Sequence, residues 1–308
     1  MSASDDTTPH ATVRRGSAPA WAAAVRPRSL LVALSPVLVG AALGFARSGH
    51  IDARAALLVL GAALLVQIVT NLQNDVGYTL RGAERSGTRR GLPRATAEGW
   101  LGVRQVRAAI VAAALAATAL GLVLAALRGW PVLAIGATSL LAALAYMGGP
   151  RPIAYTPFGE LTVFVFFGLV AVNGSDWVFT GGVGLDTALA SLAIGSLAAA
   201  ALALNNHRDI EHDRQVGRRT FAASFGARAS ARLYAALLLG PFALPPLMAW
   251  QAGAPARLLP LLLLPAAWRL RRDFAACPPG QAFNALLFRT FRLELAFALL
   301  LSAGALIG

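Results

Sequence analysis

From about residue 29 to the C-terminus, this 308-residue chain is a succession of apolar runs separated by short charged connections. The runs are about 17 to 25 residues long, the length an α-helix needs to cross roughly 30 Å of hydrocarbon. Inside a bilayer every backbone polar group must be satisfied by the chain itself, so only helices and closed barrels cross. A barrel would show roughly ten-residue stretches of alternating polarity, whereas the runs here are continuous in Ala, Leu and Val. With 57% hydrophobic and 13% charged residues, an ordinary soluble domain is excluded. The fold class expected is all-α: a polytopic membrane protein with nine spans, at 29 to 46, 53 to 73, 104 to 127, 131 to 147, 159 to 180, 187 to 205, 229 to 250, 257 to 270 and 290 to 308. The eighth is the shortest.

Charge orients the bundle. The chain has no lysine, so its 27 basic residues are all arginine. Of these, 23 fall in the N-terminal tail and the even-to-odd connections; only Arg47, Arg54, Arg128 and Arg257 fall on the other side. Basic connections stay inside, which predicts a cytoplasmic N-terminus and an external C-terminus in a cell (inner) membrane. The net charge of +13 therefore belongs mainly to topology, and no basic face on a soluble module points to nucleic acid. The single cysteine, Cys277, rules out an internal disulfide and any cysteine-rich metal site. Residues 1 to 20 read as a disordered cytoplasmic tail without a cleavable signal, and 21 to 308 as one transmembrane domain.

Two connections hold most of the arginines, and both begin with the same kind of helix end. The first is "QIVTNLQNDVGYTLRGAERSGTRRGLPR", residues 67 to 94; the second is "ALALNNHRDIEHDRQVGRRT", residues 201 to 220. In "NLQND" and "NNHRD" an Asn precedes an Asp by four residues, pairing Asn71 with Asp75 and Asn205 with Asp209. That spacing stacks both side chains on one helix face, and Asp213 continues the second face. Carboxylates and amide oxygens are hard ligands suited to Mg²⁺, which completes its shell with water and substrate phosphates. The neighbouring guanidinium groups grip phosphate oxygens in bidentate fashion. Metal-binding acids and phosphate-binding arginines, twice, at the mouth of an apolar bundle suggest a diphosphate on a lipid-like tail. The bland alternative is a solvated rim of ordinary ion pairs, which the matched spacing of two clusters disfavours.

The same residues carry a family resemblance. "NLQNDVG" and "NNHRDIEHDRQVGRRT" resemble the two Asp-rich motifs of the UbiA superfamily of intramembrane prenyltransferases, and more narrowly those of the 1,4-dihydroxy-2-naphthoate polyprenyltransferases of menaquinone synthesis. "WAAAVRPRSLLVALSPVLVGAAL" (21 to 43) and "YMGGPRPIAYTPFGELTVFVFFG" (146 to 168) are similar to that branch's opening helix and to its central loop and fifth helix. The resemblance implies nine helices around a central cavity, with two Mg²⁺ ions bridging the aspartates and a polyprenyl diphosphate. Loss of diphosphate yields a prenyl cation that an aromatic acid attacks, expelling its carboxylate as CO₂. By this likeness Asn71, Asn74, Asp75, Asn205, Asp209 and Asp213 belong to the metal site, with Asp75, Asp209 and Asp213 catalytic. Where the family usually has a second aspartate, three residues after the first, this chain has Tyr78. Glu84 on the following loop is a candidate for the missing oxygen, and Tyr78 for a hydrogen bond to phosphate.

Arg81, Arg85, Arg208, Arg218 and Arg219 are the remaining diphosphate candidates; Arg89, Arg90 and Arg94 read as topology anchors. Tyr155 and Glu160 are candidates for the aromatic substrate, and Arg26 for its carboxylate, against the plainer reading of Arg26 as a snorkelling residue at a helix start. His207 and His212 read as interfacial surface histidines before general bases. Tyr146, Tyr155, Phe164, Phe166 and Phe167 offer aromatic faces to a cation. Asn284 and Thr290 match the branch's tail pattern and receive no chemistry. Competing functions are a prenyltransferase for another aromatic or lipid acceptor, a catalytically silent lipid-binding relative, and a membrane carrier. Paired acids at the cytoplasmic rim and an odd span count fit a carrier's inverted repeats poorly. No obligate protein partner is expected.

Overall fold

The computed structural model describes residues 13–83, 91–278, 280 and 282–308, and among these the fold is helical with no strand. The first helix, α1 (Ala18–Val25), opens on Ser17, whose hydroxyl accepts from the Ala20 N–H at 3.4 Å. It begins three residues before the boundary expected at 21. It stops at Arg26, whose backbone is left-handed (φ 57°, ψ 66°) and which precedes Pro27, so the α conformation cannot continue. A short 3₁₀ turn (Pro27–Ser29) then leads into α2 (Leu30–Ser48), which ends at Gly49.

Helix α3 (Ala53–Leu80) is capped by Asp52, which accepts from the Arg54 and Ala55 N–H groups at 2.9 and 3.3 Å. Asp52 also pairs with Arg128 at 2.9 Å, tying the start of α3 to the end of α4 (Val103–Arg128). Helix α5 (Trp130–Met147) follows directly through Gly129. The fifth crossing is composite: α6 (Gly159–Val163), a π-helical turn over Phe164–Val170, and α7 (Ala171–Thr180). Helix α8 (Leu185–Arg208), rich in alanine, is buried along most of its length and forms the centre of the bundle. Then come α9 (Ile210–Gln215), α10 (Phe221–Leu239), a 3₁₀ turn (Gly240–Ala243) and α11 (Leu244–Ala252). The last elements are a 3₁₀ stretch (Pro255–Leu263), α12 (Leu264–Ala276) and α13 (Ala282–Ile307).

Among the described residues, eight segments are long and apolar enough to cross a membrane. The ninth, expected at 257 to 270, is a mixed rod in which 3₁₀ stretch and α12 meet end to end, with Pro260 inside the 3₁₀ part and Pro265 at the start of α12. At about 2.0 Å rise per residue in 3₁₀ and 1.5 Å in α geometry, the 9 and 13 residues together reach about 37 Å. Its two ends lie against opposite ends of α13, so it runs antiparallel along that helix. Ala256 lies against Gly304 near the C-terminus of α13, while Asp273 pairs with Arg289 near the N-terminus of α13 at 2.6 Å.

The π turn brings the fifth crossing hard against α8. A Cβ on Gly195 would sit 2.9 Å from the Gly168 Cα and 3.2 Å from the Phe164 ring, so only glycines permit this approach. Gly195→Val is therefore expected to destabilise the bundle by about 2–3 kcal/mol, read as a lowered thermal midpoint in detergent.

Candidate active site

A cavity of about 660 Å³ opens among α2, α3, α4, α5, the π turn, α7, α8 and α13. Most of its wall is Ala, Val, Leu and Phe, including Phe166 and Phe167 of the π turn, with Tyr146 also on the wall. The charged and amide side chains on its wall are Arg26, Gln67, Asn71, Asn74 and Asn205. The cavity thus joins a long apolar chamber to the helix ends that carry both motifs.

Asn71 donates to the Val25 carbonyl at 2.7 Å and to the Ser29 hydroxyl at 2.9 Å, and its Oδ1 accepts from Gln67 at 3.2 Å. It braces the bend at Arg26, whose side chain is on the cavity wall. A non-glycine residue held left-handed is strained, and such strain collects at ligand sites. Asn74 also reaches the wall, and its buried Oδ1 has no hydrogen-bond partner among the described residues.

The three aspartates lie off the cavity wall, each held by donors. Asp75, fully buried, accepts from the Ala95 N–H at 2.9 Å and from the Thr96 N–H and hydroxyl at 2.8 and 2.6 Å. Asp209 is clasped by its neighbour Arg208, Nε to Oδ1 at 2.8 Å and Nη2 to Oδ2 at 2.6 Å. The same guanidinium donates to Asn205 and Asn284, each at 2.6 Å. Asp213 receives Arg218 at 2.5 Å and the Thr220 hydroxyl at 3.1 Å. Burial pushes the Asp213 carboxyl up to about 6, against the pull of Arg218 and with a push from Asp209.

Arg218 also donates to the Ala154 carbonyl at 3.2 and 3.1 Å. Its guanidinium lies 4.9 Å from the Tyr78 ring and 5.7 Å from the Tyr155 ring. Arg94 stacks on Tyr78 at 4.1 Å, and Arg81 lies over Tyr155 at 5.2 Å while donating to the Gly149 carbonyl. Burial raises the Tyr155 phenol above its ordinary range. Arg219 reaches the cluster by its backbone, donating to the Tyr155 carbonyl at 3.2 Å, and its side chain is exposed. Glu160 is buried beside Asn206, which donates to Oε1 at 2.9 Å. Glu160 Oε2, Asn206 Oδ1 and the Tyr155 hydroxyl have no partner among the described residues.

The structure therefore brings Arg26, Asn71, Asn74 and Asn205 to the cavity. It gathers Tyr78, Arg81, Tyr155, Asp213 and Arg218 into an adjoining cluster. Glu84, Arg85, Arg89 and Arg90 lie outside the described residues. His212 is buried, and His207 packs against Phe274 and Phe283 at 4.7 and 5.8 Å, so neither is the surface histidine expected. Arg94, expected as an anchor, is only 4% exposed. Sequence reasoning missed Thr96 and Thr220 and gave Asn284 no role; all three lie outside the Asn-to-Asp spacing, and only the Thr220 position just beyond Arg219 offered a local signal.

No group of three His, Cys, Asp or Glu side chains forms a ready cage among the described residues. Mg²⁺ asks for less, one or two carboxylates with the remaining places filled by water and phosphate. The orphaned Asn74 oxygen beside Asp75, and Asp213 beside Asp209, fit that demand.

The UbiA prenyltransferase family pattern matches residues 33–292. The chain belongs to the UbiA prenyltransferase family. It is 34% identical over 227 residues to the 1,4-dihydroxy-2-naphthoate octaprenyltransferase of Escherichia coli, covering 72% of this chain and 73% of that one. With the enzyme of the same name from Mycobacterium tuberculosis it shares 36% identity over 235 residues, covering 71% and 74%. A solved UbiA homologue from Archaeoglobus fulgidus, bound to GPP and Mg²⁺, superposes with a TM-score of 0.70 at 16% identity over 94% of this chain and all of that one. At that identity the structure speaks to the fold. The chain is a multi-pass membrane prenyltransferase.

Proposed function

We propose that this UbiA enzyme transfers a polyprenyl group from a prenyl diphosphate to 1,4-dihydroxy-2-naphthoate, releasing diphosphate and CO₂, as a Mg²⁺-dependent step of menaquinone synthesis in the inner membrane. The N-terminus and the two motifs face the cytoplasm. The observation that carries this reading is one apolar chamber ending on Arg26, Asn71, Asn74 and Asn205, beside the acid–arginine network; the naphthoate specificity leans on the relatives named above.

The allylic C1–O bond breaks and its electron pair leaves on the diphosphate. The ring carbon bearing the carboxylate then bonds to C1, and loss of that carboxylate as CO₂ returns its bonding pair to the ring. Asn71, Asn74, Asp75, Asn205, Asp209 and Asp213, with Glu84, are the residues to hold Mg²⁺, which supplies positive charge to the leaving phosphate oxygens. Arg81, Arg85, Arg208, Arg218 and Arg219, with Tyr78, orient the same oxygens by charge-assisted hydrogen bonds. The cavity excludes water from the allylic centre, and the faces of Phe166, Phe167 and Tyr146 favour developing positive charge. On the acceptor side, Glu160 Oε2 and the Tyr155 hydroxyl, both buried without partners among the described residues, suit phenolic hydroxyls.

Arg26 is assigned to the acceptor carboxylate. A charge-assisted hydrogen bond contributes about 1.5–3 kcal/mol, so Arg26→Gln should raise the acceptor KM by about 10- to 100-fold. Prenyl diphosphate KM should stay within about twofold; equal rises in both would move Arg26 off the acceptor.

The whole reading is tested with membranes containing the chain, a polyprenyl diphosphate, dihydroxynaphthoate and either Mg²⁺ or chelator. Mass spectrometry should find a prenylated, decarboxylated naphthoquinol in the Mg²⁺ arm alone. Product with a different aromatic acid and none with the naphthoate would redirect the acceptor assignment.

A further inference from the structure

Helix α12 buries one face, through Ala267, Leu270 and Phe274, and leaves a flank without a partner. On that flank Leu264, Trp268, Arg271 and Arg272 follow one another at i, i+4, i+7 and i+8, and all four are exposed. The Arg271 guanidinium lies 5.1 Å from the Trp268 ring. Toward the C-terminus of α12 the stripe thus passes from aliphatic to aromatic to cationic. That end lies on the motif side of the bundle, since Asp273 pairs with Arg289 near the start of α13 and Phe274 packs on His207.

Position along the helix sets these arginines apart from loop anchors. Arg272 and Arg269 come four and seven residues before Ala276, the last residue of α12, so they leave the helix about 6 and 10 Å short of its end. A basic residue that only sets topology needs a place in the connection and no more. One that departs from an apolar flank a turn or two earlier carries its charge along the surface to the phosphate layer. Arg228 and Arg232, one turn apart on α10, are exposed as well, and Tyr234 of α10 stacks on Phe274 of α12 at 4.3 Å. None of these five arginines pairs with an acid among the described residues; Asp273, the one acid of α12, is taken by Arg289 at 2.6 Å.

We propose that the graded flank of α12 docks an anionic phospholipid, with an acyl chain along Leu264 and Trp268 and the phosphate on Arg271 and Arg272. Arg228, Arg232 and Arg269 extend the positive field around it. That field selects against a zwitterionic headgroup, whose ammonium meets it unfavourably, and favours a headgroup of net negative charge. The Trp268 ring belongs at the boundary between chain and headgroup, where tryptophan collects in membrane proteins. A lipid seated here also steadies the second motif. The buried face of α12 carries Phe274, whose ring meets His207 at 4.7 Å, and His207 precedes the Arg208 that clasps Asp209.

The test places the full-length chain in nanodiscs of phosphatidylcholine with a minor fraction of lipid brominated on its acyl chains, which quenches a tryptophan that it touches. Trp268→Phe supplies the background from the other tryptophans. At equal fraction, brominated phosphatidylglycerol should occupy the flank about five- to tenfold more readily than brominated phosphatidylcholine. Arg271→Gln combined with Arg272→Gln should bring that ratio to within about twofold of one; both side chains are exposed, so the fold is retained and size exclusion verifies it. Equal quenching of Trp268 by the two lipids in the wild-type chain overturns the inference and leaves an acidic protein as the occupant to seek. A preference that survives the double substitution moves the lipid off α12 and overturns it as well.

Discussion

Asp213→Asn is expected to lower kcat/KM for prenyl transfer by about a thousandfold while the protein still inserts and stays folded. Asparagine keeps an oxygen for Arg218 and removes the anionic donor. Alanine would confound the result, because it strands a buried guanidinium at a cost of about 3–5 kcal/mol. The pH dependence separates chemistry from folding. The folded Asp213 carboxyl is pushed up to about 6, above its ordinary value, chiefly by burial. Its ionised form therefore costs folding energy above the unfolded pKa, in full above about 6, and that cost fades as the pH falls through 6 toward 4. Protons compete with the metal over the same interval. Half-saturating Mg²⁺ should rise steeply below pH 6 with no matching fall in thermal midpoint; a midpoint that falls in step would assign the loss to unfolding.

The second large effect is on stability. Arg208 is one guanidinium serving Asp209 twice, Asn205 and Asn284, and it is 6% exposed. Arg208→Met removes the fork that neutralises a buried carboxylate and should destabilise the bundle by about 3–5 kcal/mol. Arg208→Lys should recover less than half, since an ammonium cannot reproduce the bidentate plane. Thermal midpoints and the folded fraction on size exclusion in detergent measure both. A wild-type midpoint in Arg208→Met would show that the clasp serves substrate alone.

The spans were legible because crossing a bilayer imposes a length and a composition that every apolar run repeats. The Asn71–Asp75 and Asn205–Asp209 pairs were legible because helical spacing fixes which side chains share a face. The partners of those acids were not. Thr96 reaches Asp75 from 21 residues away, through a connection whose path only tertiary packing sets. Asn284 reaches Arg208 from 76 residues away in another helix. Arg94 was lost among many arginines, because charge counting distinguishes sides of a membrane and says nothing of which guanidinium turns inward onto a ring. The bend at Arg26 carried only Pro27 as its signal, and proline restricts its predecessor without saying that it turns left-handed.

The mixed rod before α13 has a mechanical consequence. Pro260 denies the 3₁₀ stretch an α-helical hydrogen bond and crowds the carbonyl four residues back, so contraction into α geometry costs about 3 kcal/mol. Nine residues drawn out by about 0.5 Å each make this crossing about 4–5 Å longer than an α-helix of the same length. It behaves as a strut of fixed gauge. In a bilayer thinner than that strut, the hydrophobic mismatch passes to the tilt of the neighbouring helices or to the lipid itself.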